Sequence, residues 1–440
     1  MKEICKADPT LAKILPHVRP DPDFTYVPSQ FTLSFARNGK RYVYNTLTRH
    51  CLEAELPVQC RAGEGYDELI RNLILVPEGK DECGFYNSIS SLLRVYGHKE
   101  GRKGYTILPT LACNARCVYC YEEGMEPVTM TAETADQTVR YILATRRGDI
   151  VSLHWFGGEP LLRPDLIDRI CGGLREAGLN YRSTMITNGS LITPGIIHKM
   201  KDDWHMGGVQ VSMDGAESDY IARKRYIRYC DEYHRVLSSV NTMTDAGIRI
   251  SMRCNVDEEN WDRIPIFLED AKNAIIQKEK VRLYFAPLYG VRMEDRGLEI
   301  WKKVIAARSM IEEAGFLFAP LLSEMPGYKA NHCMADGSGV VIGPDGSLYP
   351  CEHCPPGSRF GDIRHGVTDE KARYEFCRVD RTREKCRTCP FLPDCTSFAS
   401  CPVQERDCRK VHELMKMNYL RRLVDNADKG VSTEEEIPAC

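Results

Sequence analysis

The sequence predicts an α/β fold in which a partial (βα)6 TIM-like barrel lies between a small N-terminal module and a cysteine-rich C-terminal segment. Two observations predict it. Apolar strand patterns alternate with amphipathic helix patterns about six times between residues 105 and 290. The 440-residue chain also has 20 cysteines, nine of which fall between Cys333 and Cys408. Tight clusters in so large a chain indicate metal or iron–sulfur ligation rather than a disulfide framework.

Composition and charge exclude several classes of protein. The net charge of −3 argues against a broad basic field for nucleic acid. No run of about 20 apolar residues is present, which argues against a membrane span. The N-terminal residues MKEICKADPTLAK lack the apolar centre of a signal peptide. We therefore expect a cytoplasmic protein without nucleic-acid or membrane partners.

Residues 1–100 are predicted to form a small α+β module of winged-helix-like type. Apolar residues alternate over Phe31–Phe35, an Asn38-Gly39 pair turns the chain, and alternation resumes over Tyr42–Tyr44, which predicts a β-hairpin. A mixed helical stretch is predicted over roughly residues 65–97. The alternative is a structural extension that only packs on the main domain.

Residues 101–320 are predicted to form the partial barrel. Its predicted strands are Tyr105–Thr110, Val151–Trp155, Ser183–Thr187, Val209–Met213, Ile248–Asn255 and Val281–Ala286. Helical apolar stripes lie between them, for example at Ile264, Phe267, Leu268 and Ala271. Six units are fewer than the eight of a closed barrel, so an open or partial barrel is expected, with its chemistry at the carboxyl ends of the strands.

Residues 321–424 are predicted to form a C-terminal iron–sulfur domain, within which residues 330 to about 410 are rich in cysteine, proline and glycine and have little periodic pattern. We expect bound metal to hold this segment together, as it does in other small metal domains. A helix is predicted over residues 409–424, and a flexible tail over residues 425–440.

The run Cys113-Asn-Ala-Arg-Cys117-Val-Tyr-Cys120 directly follows the first strand of the predicted barrel. Three thiolates this close can ligate one face of a [4Fe–4S] cluster and leave one iron open to a small molecule. The spacing, with Tyr119 before the last cysteine, resembles the signature of radical S-adenosylmethionine (radical SAM) enzymes. The resemblance covers about residues 105–290. It implies that S-adenosylmethionine is cleaved to a 5′-deoxyadenosyl radical, which then abstracts hydrogen from a substrate.

Further positions match that family one by one. The sequence Gly157-Gly158-Glu159-Pro160 follows the second predicted strand, where the family contacts the amino group of the methionine moiety. Polar residues at the ends of later strands are expected to approach the ribose and carboxylate of the cofactor. They are Thr187, Asn188, Ser212, Asp214, Arg253 and Asn255. Asn-Gly and Asp-Gly pairs also occur in simple turns, which is the alternative for these positions.

The C-terminal cysteines resemble the SPASM extension of radical SAM proteins. The matching features are Gly346-x4-Cys351 and Cys386-x2-Cys389-x5-Cys395. The resemblance implies two auxiliary [4Fe–4S] clusters, and thus three in total. The implied outer ligands are Cys386, Cys389, Cys395 and Cys408. The implied inner ligands are Cys333, Cys351 and Cys401, with Cys354 as the leading candidate for the fourth. Cys401 departs from the family pattern, because five residues separate it from Cys395 where three are usual.

The combined resemblance implies an oxidoreductase that matures a ribosomally made precursor peptide. The expected result is a thioether or carbon–carbon cross-link or another modification. The N-terminal module resembles a leader-peptide recognition domain, and a flavodoxin or ferredoxin would supply electrons in an anaerobic cytoplasm. No catalytic residue acting on the substrate is identifiable from the sequence. Two alternatives remain: an anaerobic sulfatase-maturating type of enzyme that oxidises Cys or Ser to formylglycine, and a zinc-binding interaction protein.

Overall fold

The computed structural model describes residues 1–6, 13–15, 18–98, 104–288, 295–318, 339–353, 356–377, 384–394 and 408–430. The strands are β1 (Lys2–Cys5), β2 (Tyr26–Pro28), β3 (Thr32–Arg37), β4 (Lys40–Asn45), β5 (Cys51–Glu53), β6 (Leu75–Pro77), β7 (Gly104–Ile107), β8 (Ile150–Trp155), β9 (Asn180–Thr187), β10 (Met206–Met213), β11 (Arg249–Val256), β12 (Val281–Pro287), β13 (Leu317–Phe318), β14 (Gly339–Ile342), β15 (Ser347–Tyr349), β16 (Gly361–Asp362) and β17 (Gly366–Val367).

The α-helices in the same part of the chain are α1 (Asp67–Arg71), α2 (Glu82–His98), α3 (Ala132–Thr145), α4 (Pro164–Glu176), α5 (Pro194–His198), α6 (Glu217–Lys224), α7 (Glu232–Asp245), α8 (Ile264–Ala274), α9 (Asp295–Ala306), α10 (Arg308–Glu313), α11 (Glu370–Cys377), α12 (Glu384–Arg387) and α13 (Cys408–Asp428). Capping residues fix several helix starts. The Thr131 side chain accepts a hydrogen bond from the Thr134 amide at 3.0 Å, and Pro164 begins α4 where no amide is needed.

The main sheet is mostly parallel, which confirms the predicted α/β fold. Its strand order is β13-β12-β11-β10-β9-β8-β7-β14-β15-β16-β17. Strands β7 to β12 are the six predicted strands, and they lie side by side in chain order, as in the wall of a barrel. Strands β13 and β14 add one parallel strand at each side, and β15 to β17 continue antiparallel. This order is consistent with a partial barrel.

The two faces of the parallel sheet differ in polarity. On one face, alternate side chains such as Leu153, Val211 and Met252 are fully buried against the helices. On the other face the side chains are mostly polar. In β8 to β12 they include His154, Thr184, Gln210, Ser212, Ser251, Arg253, Arg282 and Tyr284. The Tyr284 hydroxyl donates to Gln210 Oε1 at 2.7 Å across this face. The sheet therefore presents a polar inner surface to whatever enters the barrel.

Strand β7 is shorter than predicted, because it ends at Ile107 rather than at residue 110. Pro109 has no amide hydrogen and so cannot continue the ladder. The Leu108 amide still donates to the Ile342 carbonyl at 3.0 Å. From there the chain leaves the sheet and begins the three-cysteine loop.

The N-terminal module contains a four-stranded antiparallel sheet of order β1-β5-β4-β3. The predicted hairpin is confirmed: Arg37 pairs with Lys40, and Asn38 and Gly39 have φ values of 51° and 75°. The stretch 65–97 contains the helices α1 and α2, and strand β6, which was not predicted separately, lies between them. The apolar run Leu75–Pro77 pairs with β2. The winged-helix-like assignment stays a prediction.

The N-terminal sheet packs on two C-terminal segments. Phe35 and Tyr44 lie in one apolar cluster with Leu420 and Leu423 of α13. Phe31 and its neighbours form a second cluster with Leu392. Helix α13 ends at Asp428, four residues beyond the predicted end. Within the described residues, none of the helices is both long enough and apolar enough to cross a membrane.

A buried ionic group joins the same three segments. The Asp394 carboxylate pairs with Arg49 from the N-terminal module and with Lys416 of α13, the latter at 3.1 Å. All three side chains are at most 4% exposed. Burial alone would raise the pKa of Asp394, but the two cations outweigh burial and hold the pKa below its ordinary value. The carboxylate is therefore charged, and it binds the three segments together.

Candidate active site

The loop after β7 carries Cys113, Cys117 and Cys120 at the carboxyl end of the parallel sheet. All three are free thiols that are partly buried. Burial raises the pKa of Cys113 to about 11 and raises the pKa of the other two thiols as well. Binding iron must therefore displace a proton from each thiol.

The spacing of the thiols suits a cluster better than a single zinc ion. A tetrahedral zinc site holds its sulfur ligands about 3.8 Å apart, given zinc–sulfur bonds of about 2.3 Å. Within the described residues, the only three His, Cys, Asp or Glu ligand atoms that all lie within 4.8 Å of one another belong to Glu217, Asp231 and His234. At least one pair of the three sulfur atoms is therefore more than 4.8 Å apart, which is wider than the spacing of ligands around one zinc ion. The donor set fits a [4Fe–4S] cluster with one open iron.

The outer side of the loop is held by the end of helix α6 and the residues that follow it. Ala115 and Tyr226 form an antiparallel bridge. The amides of Arg116 and Val118 donate to the carbonyls of Arg225 and Arg223 at 3.0 Å. These bonds fix the chain around Cys117 without using its side chain.

The inner side of the loop is held by Gly157 and Gly158. The Gly158 amide donates to the Thr110 carbonyl at 3.1 Å, and the Glu159 amide donates to the Ala112 carbonyl at 3.0 Å. A Cβ atom on Gly158 would lie 2.4 Å from the Ala112 oxygen, and one on Gly157 would lie 2.5 Å from the Thr110 oxygen. Only glycine permits this contact. The pair therefore supports the cysteine loop, in addition to its predicted role beside the cofactor.

We expect the change Gly158→Ala to disturb the cysteine loop. The new methyl group would collide with two backbone carbonyls that cannot move independently. Such overpacking costs about 1–3 kcal/mol, and here the displaced segment carries the cluster ligands. Iron content and S-adenosylmethionine cleavage should both fall. The matched control is Gly172→Ala in α4, where a Cβ would meet nothing within 4 Å. Equal iron content in the two variants would contradict this role of Gly158.

Glu159 joins the loop to the end of β9. Its carboxylate is fully buried. It accepts hydrogen bonds from the Thr187 hydroxyl at 2.7 Å, the Asn188 amide at 2.8 Å and the Leu161 amide at 3.1 Å. A carboxylate has about four acceptor positions, so there is room for one further donor. The predicted residues Glu159, Thr187 and Asn188 are thus adjacent, and Pro160 begins the short 3₁₀ turn that follows.

Asp214 is the centre of a second group of predicted residues. The Tyr119 hydroxyl contacts both Asp214 carboxylate oxygens at 2.7 Å, and Asn255 Nδ2 donates to Asp214 Oδ1 at 3.0 Å. The Arg253 side chain in turn donates to Asn255 Oδ1 at 3.0 Å. Predicted residues from the ends of two strands, β10 and β11, therefore meet Tyr119, the residue before Cys120, although they are up to 136 residues apart in sequence.

Lys224 is a charged residue of this site that the sequence did not indicate. Its ammonium lies 3.4 Å from Asp214 Oδ2 and donates to the Ser212 hydroxyl at 2.8 Å. The side chain is only 3% exposed. Burial alone would lower the pKa of Lys224, but Asp214, Tyr119 and Cys117 raise it above its ordinary value. The site therefore holds a buried cation next to Ser212 and Asp214. Lys224 lies in the basic run Arg223–Arg228, which in sequence is indistinguishable from a solvated surface.

Asn114 and Ser190 were also missed. Asn114 Nδ2 donates to Ser190 Oγ at 2.9 Å and its Oδ1 accepts from Asn188 at 2.9 Å. The Asn188 side chain is also 3.9 Å from Cys113 Sγ. These side-chain hydrogen bonds connect the cysteine loop to the end of β9. Asn114 and Ser190 belong to no motif of characteristic spacing, so they could not be found from the sequence.

The predicted auxiliary ligands are described in part. Cys351 follows β15, and His353 two residues later contacts the Tyr121 ring with centroids 4.4 Å apart. The Cys351 segment therefore lies beside the three-cysteine loop. Cys386 and Cys389 are partly buried against the apolar cluster of Phe31. Cys333, Cys354, Cys395 and Cys401 lie outside the described residues, as does the side chain of Cys408.

A family model assigns this part of the chain. The model of the radical SAM superfamily matches residues 107–271, which hold the three-cysteine loop and strands β8 to β11. The chain carries a radical SAM domain. Similar curated proteins include an AdoMet-dependent heme synthase from Methanosarcina barkeri, 30% identical over 37% of this chain and 45% of the relative. The chain therefore spans less than half the length of that relative.

A longer match is to a PqqA peptide cyclase from Streptomyces rochei, 25% identical over 65% of this chain and 81% of that protein. Solved structures of similar fold include anSMEcpe with bound AdoMet and the Cp18Cys peptide, with a TM-score of 0.58, 17% identity and coverage of 74% of this chain and 99% of that one. SuiB of Streptococcus suis bound to its precursor peptide SuiA has a TM-score of 0.52, 14% identity and coverage of 87% and 99%. At these identities the structures show a shared fold.

Proposed function

We propose that the protein is a radical SAM oxidoreductase that modifies a ribosomally made precursor peptide, by a cross-link or a related change. The observation that carries the proposal is the position of three unpaired thiols beside the Tyr119, Asp214 and Lys224 group at one edge of the sheet. In this arrangement a metal bound by the thiols would be in contact with a cofactor bound by the polar group. The match to a PqqA peptide cyclase over 65% of the chain supports a peptide substrate.

In this proposal Cys113, Cys117 and Cys120 hold a [4Fe–4S] cluster that, when bound, supplies an electron for the reductive cleavage of S-adenosylmethionine. The protein residues bind and orient. The remaining acceptor position of Glu159 is available to an ammonium group. Asp214 offers oxygen acceptors to ribose hydroxyls, and the cations Arg253 and Lys224 offer donors to a carboxylate. The polar inner face of β8 to β12 would contact the peptide.

The C-terminal cysteines would hold two auxiliary [4Fe–4S] clusters, for three in total. The closeness of Tyr121 to His353 supports this, because it places the Cys351 segment next to the cysteine loop. A cluster there could accept an electron from the substrate or bind a substrate thiolate.

The test is coexpression under anaerobic conditions with a short peptide encoded beside the gene. Mass spectrometry of the recovered peptide should show a mass change, such as a loss of two hydrogens for a cross-link. An unmodified peptide, recovered with an enzyme that carries its full iron, would count against the assigned substrate class.

The N-terminal module would bind the leader part of the peptide along strand β3. This strand is at the edge of its sheet. Because Arg37 and Lys40 flank a two-residue turn, their backbone groups pair with each other, and so do those of Phe35 and Tyr42. The backbone groups of Ser34 and Ala36 therefore point to the free edge, where an extended leader could pair with them.

We expect Ser34→Pro to weaken leader binding, because proline removes an edge amide while leaving the β3–β4 pairing intact. The loss of one such hydrogen bond should raise the KM for the full-length peptide about tenfold. Ser34→Ala is the matched control, since it keeps the amide. Deletion of the whole module is a poorer test, because it would expose Leu392 and Leu420. An unchanged KM in the proline variant would contradict leader binding at this edge.

A further inference from the structure

The outer surface of the cysteine loop combines exposed apolar side chains with unpaired positive charge. Val118 is 45% exposed, Ile221 40%, Ile227 61% and Tyr229 37%. Arg116, Arg225 and Arg228 are exposed, and none of them has an ion-pair partner among the described residues. We call these seven residues the outer-loop patch.

The backbone contacts place this patch beside Cys117. Arg116 and Val118 flank Cys117 in sequence, and both side chains are exposed while Cys117 is partly buried. The amides of Arg116 and Val118 donate to the carbonyls of Arg225 and Arg223 at 3.0 Å, next to the Ala115–Tyr226 bridge. The exposed side chains of Arg225 and Ile227 therefore lie close to those of Arg116 and Val118, on the outer side of the segment that carries Cys117.

The composition of the patch indicates a protein partner of opposite charge. Exposed apolar groups close together mark interaction sites, and unpaired arginines attract an acidic surface over a distance. Three acids near the patch already have cationic or histidine partners: Asp219 pairs with Arg263, and Glu217 and Asp231 lie 3.8 and 2.7 Å from His234. The patch is thus able to bind an acidic protein with an apolar centre.

We propose that the outer-loop patch is the docking surface for the electron donor, a small acidic protein with a low-potential one-electron centre, such as a flavodoxin. This inference rests on the proposed radical SAM function, which requires a reductant. At the patch the donor would give up one electron, the cluster that Cys113, Cys117 and Cys120 would hold would take it up, and no covalent bond would change. Electron-transfer complexes are small, transient and steered by charge, which suits a patch of three arginines and four apolar side chains.

The test compares two charge reversals in the full-length reconstituted enzyme. The first is Arg228→Glu in the patch, because Arg116 and Arg225 hold the cysteine loop through their backbones and, among the described residues, Arg228 makes no such bond. The control is Arg146→Glu, which makes the same charge change just after α3, near the start of β8 and thus at the opposite end of the parallel strands. Formation of 5′-deoxyadenosine is measured with reduced flavodoxin, flavodoxin reductase and NADPH, and separately with dithionite, which is too small to need docking.

We expect the patch variant to lose about tenfold in rate at limiting flavodoxin, with a weaker dependence on salt than the unaltered enzyme. Its dithionite-driven rate should be unchanged, and the control should match the unaltered enzyme in both assays. An unchanged flavodoxin-driven rate would overturn the proposal, as would an equal fall with dithionite, which would indicate damage to the site. If the unaltered enzyme forms no 5′-deoxyadenosine even with dithionite, the proposed function itself has failed.

Discussion

Replacing Cys113, Cys117 and Cys120 together with alanine is expected to abolish the formation of 5′-deoxyadenosine. The three thiols are the proposed metal ligands of the cysteine loop, and no other cysteine of the described residues lies on that loop. Without them a cluster cannot be held beside Asp214 and Lys224. The iron content should fall by about four per chain, the content of one cubane. The measurements are iron analysis and chromatography of the reaction products.

Cys230→Ala is the matched control, because Cys230 is exposed and lies outside every predicted cluster. It should keep both its iron and its activity. The auxiliary iron should also remain in the triple variant, since its predicted ligands belong to another segment. Cleavage of S-adenosylmethionine at the ordinary rate by the triple variant would refute the assignment of this loop.

Replacing Asp394 with alanine is expected to lower the free energy of unfolding by about 3–5 kcal/mol, the usual cost of leaving a buried charge unpaired. Two cations, Arg49 and Lys416, would lose the carboxylate that they share, and their side chains are at most 4% exposed. The N-terminal module, the Cys386 segment and α13 should separate more easily. Urea unfolding and limited proteolysis measure the loss.

Asp425→Ala is the control at the same interface. The pair of Asp425 with Arg37 is 27% and 40% exposed, so its loss should cost about 1 kcal/mol or less. The triple change Arg49→Met, Asp394→Leu and Lys416→Met should recover most of the stability, because it removes all three charges together. If Asp394→Ala is no more destabilising than Asp425→Ala, the ionic group does not join these segments.

The sequence predicted best those elements whose structure is determined by neighbouring residues. The hairpin follows from the Asn38-Gly39 turn, and the six parallel strands follow from apolar runs of the right length between amphipathic helices. Strands β13 and β14 were not predicted, because runs of two and four residues carry too little pattern. Strand β6 was not recognised within the mixed helical stretch 65–97 for the same reason, since it has only three residues.

The residues of the candidate site also fall into two groups, those that a sequence motif predicted and those that only the folded structure shows. Motif spacing predicted the cysteine loop, the Gly157–Pro160 turn and the strand-end residues Asp214 and Asn255, which the structure brings together around Tyr119. Lys224 and Asn114 could not be found in this way. Asn114 acts through Asn188 and Ser190, which are more than 70 residues away in sequence. The Lys224 ammonium is buried only because the fold brings it against Ser212 and Asp214. The Arg49–Asp394–Lys416 group was hidden for the same reason, since Arg49 is hundreds of residues from the other two in sequence.

The most direct test of the account follows hydrogen from the peptide to the nucleoside. The reconstituted enzyme is incubated anaerobically with S-adenosylmethionine, a reductant and its precursor peptide, with deuterium placed at the carbon positions of the modified residue. Mass spectrometry of 5′-deoxyadenosine should show one deuterium gained from the peptide, together with the modified peptide in equal amount. Modified peptide accompanied by unlabelled 5′-deoxyadenosine, with every carbon position of that residue deuterated, would contradict the claim that a radical formed at the Cys113 loop abstracts hydrogen from this substrate.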